Sequence, residues 1–142
     1  MPKLPPHAYV PGQNARHPEG WFDDIKASVT TDLPVDLLHL TEAWQAGLAY
    51  LDAGYFWECH EVLEAVWMQT PLNTPEREMT QAVIQLANAR LKLRMDKPRA
   101  VRRLCDMVMV HLDRCPDGVA VLGLTQVQVL GWAQQTRASA SK

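Results

Sequence analysis

The sequence predicts an all-α protein: a compact bundle of about five helices preceded by an extended, proline-rich arm. Three observations carry this. From Val35 onward apolar residues recur at intervals of three and four rather than two. Six of the ten prolines fall within the first 34 residues, where their missing backbone donors exclude a long helix. Glycine, proline and threonine then punctuate the remainder at helical lengths.

Taken in order, residues 1–34 form the arm and 35–138 the helical domain. A short helical turn is expected at "WFDDIKAS", with Trp21 and Phe22 as anchors on the body. The first helix of the domain is expected over Val35–Ala53, with Leu37, Leu40, Trp44, Leu48 and Leu51 on one stripe and Gly54 as its stop. The second runs from Tyr55 to about Gln69, ahead of Thr70-Pro71. The third starts at Pro75 under a Thr74 cap and reaches about Met95. The fourth begins at Pro98 and ends near Cys115, and the fifth begins at Thr125 and ends at the polar tail "ASASK". Connections this short favour antiparallel neighbours.

A chain of 142 residues has room for one core and not two. It contains no apolar run of membrane-spanning length, and "MPKLPPHAYVPG" lacks the apolar centre of a signal peptide; a cytoplasmic protein is expected. Cys59, Cys105 and Cys115 are odd in number and lack a Cys-x-x-Cys spacing, so they read as small buried residues. The charge is asymmetric. Residues 1–80 carry 12 acidic and 4 basic side chains, and residues 81–142 carry 4 acidic and 10 basic. The halves are expected to meet within the fold or across a homo-oligomer.

The chemistry concentrates in "YFWECHEVLEAVW", residues 55–67. At about 100° per residue, His60, Glu64 and Trp67 share one side of the helix, flanked by Phe56 and Trp57. That side is expected to face inward, with Glu58 and Glu61 in solvent. The i, i+4 spacing of His60 and Glu64 suits a zinc, manganese or iron ion, but two ligands do not make a site. "HEVLE" is not His-Glu-x-x-His, and the Glu-x-x-His pairs of di-iron bundles are absent. Further ligands would come from His17, Glu19, His39 or His111, none diagnostically spaced.

The same stretch resembles the bacterial and archaeal domain-of-unknown-function family 309, whose His-x-x-x-Glu-x-x-(Trp/Tyr) motif His60, Glu64 and Trp67 match. The resemblance continues through "QAVIQLANARLKLR" and covers about residues 41–112, while "YVPG" and "RHPEG" resemble the arm of a longer subset. It implies an all-helical fold, an unassigned activity and a suspicion of metal binding. Gln81 and Gln85 match the family as well; they are candidates for amides that orient His60 and Glu64, although their stripe also holds Glu78 and Lys92, as a solvent face would.

Two functional readings follow. In one, His60 and Glu64 form a metal or small-ligand site lined by Trp57, Trp67, Phe56, Gln81 and Gln85, and a metal-dependent hydrolase is the expected class if the protein is an enzyme. In the other, His60, Glu64 and Gln85 are a structural network in a non-enzymatic interaction module, and the basic hairpin 90–103 meets an anion or a partner. Arg99, Arg102 and Arg103 are the notable cations there, because they open a helix where the dipole is already positive. Compensation by acidic residues of the first half or of a second subunit is favoured over a bound anion. Nucleic acid is disfavoured by a pI of about 6.2.

Overall fold

The computed structural model describes residues 3–140, and among these there is no strand, only an isolated bridge between Val121 and Leu124. The elements are α1 (Asp23–Lys26), a 3-10 helix (Val35–Leu40), α2 (Glu42–Ala53), α3 (Phe56–Trp67), α4 (Pro75–Arg94), α5 (Pro98–Asp113) and α6 (Gln126–Ala140). The expected bundle is present, with one division the periodicity does not reveal. Thr41 adopts an extended conformation and its hydroxyl accepts from the Trp44 amide, so the stretch expected as one helix is a 3-10 helix followed by a capped α2. An N-cap residue must leave the helical region while its side chain satisfies an orphan amide, which fixes the break at Thr41.

Other boundaries follow local chemistry. Gly54 ends α2 at φ 90, a left-handed conformation that costs glycine little. Thr74 caps α4 through the Arg77 amide, and Pro75 occupies the first turn. Pro98 opens α5 in the same way.

Helix α4 is the axis of the bundle. It packs against α3, α5 and α6, while α2 lies on α3 and α5 on α6. Nine of its residues are buried, from Met79 to Leu91, because neighbours cover it on more than one side. The main core joins Trp44, Tyr50, Leu63, Val66, Met79, Leu86 and Leu112, and extends to Phe22 of the arm. A smaller core at the far end of the bundle gathers Ala89, Val101, Leu104, Cys105 and Ala140. The three cysteines are buried and unpaired. Burial pushes the Cys59 thiol far up and the Cys115 thiol up to about 11, so neither supplies a thiolate nucleophile at neutral pH.

The approach of α2 to α3 depends on Gly47. A Cβ at this position would lie 2.5 Å from Leu63 Cδ2 and 2.7 Å from its Cγ, and Leu63 is fully buried with little room to move. Gly47→Ala therefore destabilises by about 1–3 kcal/mol, although alanine is the better helix former by about 1 kcal/mol. Urea denaturation of Gly47→Ala, Leu63→Val and the double variant checks this. The expected outcome is a double variant more stable than the sum of the single losses allows.

Candidate functional site

The inward face of α3 is centred on small and β-branched residues. Its buried positions are Glu58, Cys59, Val62, Leu63 and Val66. This overturns the expected orientation: Glu58 is fully buried, whereas His60 and Glu64 have side chains 24% and 50% exposed. The aromatic residues misplace the face because each sits at its margin under an arginine. The Arg16 guanidinium lies 5.3 Å from the Trp57 ring centre, Arg77 4.0 Å from Trp67 and Arg94 4.3 Å from Phe56. A ring covered by a cation need not enter the core to be desolvated.

The arm satisfies Glu58. The Tyr9 amide donates to Glu58 Oε2 at 2.7 Å, and His17 Nε2 lies 2.6 Å from the same oxygen. The His17 side chain is 2% exposed. Its ring stacks against His7 and meets Phe22 edge-on, with Trp21 and Trp57 close by. Glu58 Oε1 is buried and has no hydrogen-bond partner among the described residues. Two ionisable groups are thus held together out of water, one of them incompletely satisfied.

Beside this pair lies a cavity of about 590 Å³ between the 16–23 segment of the arm and α3. His17, Trp21, Phe22 and Trp57 wall it, Arg16 stands at its edge, and Lys26 and Glu61 close the rim with a 2.9 Å ion pair. Of the two expected anchors, Phe22 is 4% exposed and docks the arm, while Trp21 is 48% exposed and does not.

His60 and Glu64 do contact each other, with Nε2 2.8 Å from Oε1. Gln85 does not join them in a closed network; its side chain accepts from Asn88. Gln81 lines a separate cavity with Trp67, Arg77, Glu78, His111 and Arg114. No group of three or more His, Cys, Asp or Glu side chains able to hold a metal ion occurs among the described residues. His60 and Glu64 therefore stop at two donors, short of the three protein ligands of a catalytic zinc site, and no chemistry through a metal is derived from them. Of the other candidate ligands, Glu19 lines the arm cavity and His39 lies half-buried in the 3-10 helix with its Nδ1 unpartnered.

His111 pairs instead with Glu78. Nδ1 lies 3.0 Å from one carboxylate oxygen, and Arg114 donates to the other at 3.0 Å. This is where acidic first half meets basic second half. Arg99, Arg102 and Arg103, in contrast, have no carboxylate within ion-pair distance among the described residues, so the expected internal compensation is not found for them; Arg103 reaches only the Met107 sulfur. Burial on its own would raise Glu78, but the hydrogen bonds and charges of His111 and Arg114 outweigh it and hold its carboxyl below the usual 4.5. A depressed carboxylate stabilises the fold above its unfolded pKa, and that stability is lost as pH falls through the folded value. Glu78→Gln should therefore be less stable than wild type at pH 7. In melts repeated at falling pH the gap should close below about 4.5.

Residues 44–104 match the family Domain of unknown function (DUF309). The matched segment runs from α2 into the first half of α5 and contains Glu58, His60, Glu64 and Trp67. His17 and Tyr9, which complete the buried site, lie outside it. Neither the curated proteins nor the solved structures contain a match to the chain. No helix among the described residues is long and apolar enough to cross a membrane.

Sequence reasoning names His17 as one unspaced candidate and assigns Glu58 to solvent. The usable signal is the stripe Cys59, Val62, Leu63 and Val66, which places Glu58 at the edge of the true inward arc.

Proposed function

We propose that this protein is a small-ligand-binding helical domain whose site is the cavity between the arm and α3. The observation that supports this reading is the contact between His17 and Glu58, two ionisable side chains withdrawn from water, of which His17 lines a cavity of ligand size. Such a pair can give or take one proton in a hydrogen bond to a ligand, with Glu58 fixing the ring orientation of His17. The indoles of Trp21 and Trp57 suit a flat polar molecule.

The test uses adenine, nicotinamide and benzoate as flat polar probes, followed by two-dimensional NMR of labelled protein. The expected result is that a binding probe shifts the Trp21 and Trp57 indole signals and the His17 ring signals, that His17→Gln weakens it at least tenfold, and that His60→Ala does not. Probe-induced shifts confined to His60, Glu64 and Gln85 would remove the arm cavity as the site, as would the absence of saturable binding by all three probes.

A further inference from the structure

The C-terminal half of α4 carries a second cavity, which shares no lining residue with the arm cavity and is independent of the reading above. About 550 Å³ in volume, it lies between the end of α2, Arg90 and Arg94 of α4, and Gln135, Thr136 and Ser139 of α6. A second lobe of about 290 Å³ shares Leu51, Asp52, Arg90 and Gln135 with it and adds Leu48 and Trp132. The two cavities thus meet at Arg90.

Arg90 lacks the partner its position calls for. Its Nε donates to Thr136 Oγ1 at 3.1 Å, and that hydroxyl in turn donates to the Trp132 carbonyl. No other hydrogen bond and no ion pair engages the guanidinium among the described residues. Burial holds Arg90 below the usual guanidinium value, against smaller opposing influences of Cys59, Cys105 and Asp52. A half-buried guanidinium that opens on a cleft with one N–H engaged has further N–H groups to offer an anion there. One helical turn away, Arg94 lies over the Phe56 ring and donates to the Gly54 carbonyl, which fixes its guanidinium at the same cleft.

We propose that this cleft binds an organic monocarboxylate, its carboxylate between Arg90 and Arg94 and its apolar body in the lobe formed by Leu48, Leu51 and Trp132. The guanidinium forks fit the two oxygens of the head group, with the Gln135 side-chain amide as a further donor. The apolar lobe distinguishes an organic acid from an inorganic anion. Asp52 lines both lobes, and its charge disfavours a doubly charged phosphate more than a singly charged carboxylate.

Octanoate titrated into the full chain, read by tryptophan emission, tests this, with octanol and inorganic phosphate as the arms that lack one half of the ligand. Octanoate is expected to give a saturable change that disappears in Trp132→Phe, while octanol and phosphate give none at the same concentrations. Arg94→Gln should weaken octanoate at least tenfold, and Asp52→Asn should tighten it. Because Arg90→Gln also breaks the bond to Thr136 and can loosen α6, the deciding variants are Arg94→Gln and Asp52→Asn, both checked for unchanged helicity by circular dichroism. Equal binding of phosphate and octanoate, a response that survives in Trp132→Phe, indifference to Arg94→Gln, or no saturable response would each overturn the proposal.

Discussion

Glu58→Ala is expected to lower the stability of the protein by about 3 kcal/mol, while Glu64→Ala, six residues along the same helix, stays within about 0.5 kcal/mol of wild type. The contrast follows from surroundings alone. Glu58 is fully buried and holds the Tyr9 amide and the His17 ring; deleting it leaves two desolvated polar groups from the arm without an acceptor, as well as a cavity. Glu64 is half exposed and meets only His60, an i, i+4 pair of a kind worth a few tenths of a kcal/mol in water. Urea unfolding of both variants, followed by far-ultraviolet circular dichroism, measures the difference. Equal losses, or a larger loss for Glu64→Ala, would return the inward face of α3 to the side marked by His60 and Trp67. Glu58→Gln separates shape from charge. It retains an oxygen acceptor for Tyr9, so a loss between the two alanine values is expected.

Phe22→Ala is expected to cost about 3 kcal/mol and Trp21→Ala less than about 0.5 kcal/mol. The two residues are adjacent, but Phe22 enters the main core against Tyr50 and Trp57 while Trp21 remains about half exposed. The pair of variants measures whether the arm is part of the cooperative unit. If it is, Phe22→Ala shifts the single unfolding transition of the whole domain and also frees Tyr9 and His17 from Glu58. If the arm were an appended tail, the helical signal of Phe22→Ala would melt where wild type does. Trp21→Ala has a second use: with stability unchanged, any loss of probe binding at the arm cavity reports the indole itself.

The sequence by itself determined the helical class, the proline-rich arm and most element boundaries. These depend on contacts within a few residues. Gly54 can adopt a left-handed φ, Thr74 reaches the Arg77 amide three residues on, and Pro75 and Pro98 fit first turns because no backbone donor is needed there. Thr41 belongs to the same category of signal, and the unbroken apolar spacing across Val35–Ala53 concealed it. The sequence motif also located the segment that matches the DUF309 family and the helix that carries its charged residues.

Only the tertiary structure decided which side of that helix is the interior. The wheel fixes relative angles, but the buried arc depends on where the neighbours sit, and α3 has α2 and α4 against it and the arm across Trp57 and Glu58. Three arginines from other segments cover its aromatic rings, so the largest apolar side chains marked the margin, and the small residues Cys59, Val62 and Val66 marked the centre. The partners of Glu58 come from 41 and 49 residues away in the chain. No local spacing encodes such a contact; it exists because Phe22 docks the arm and brings His17 down onto a carboxylate that would otherwise be buried without a partner.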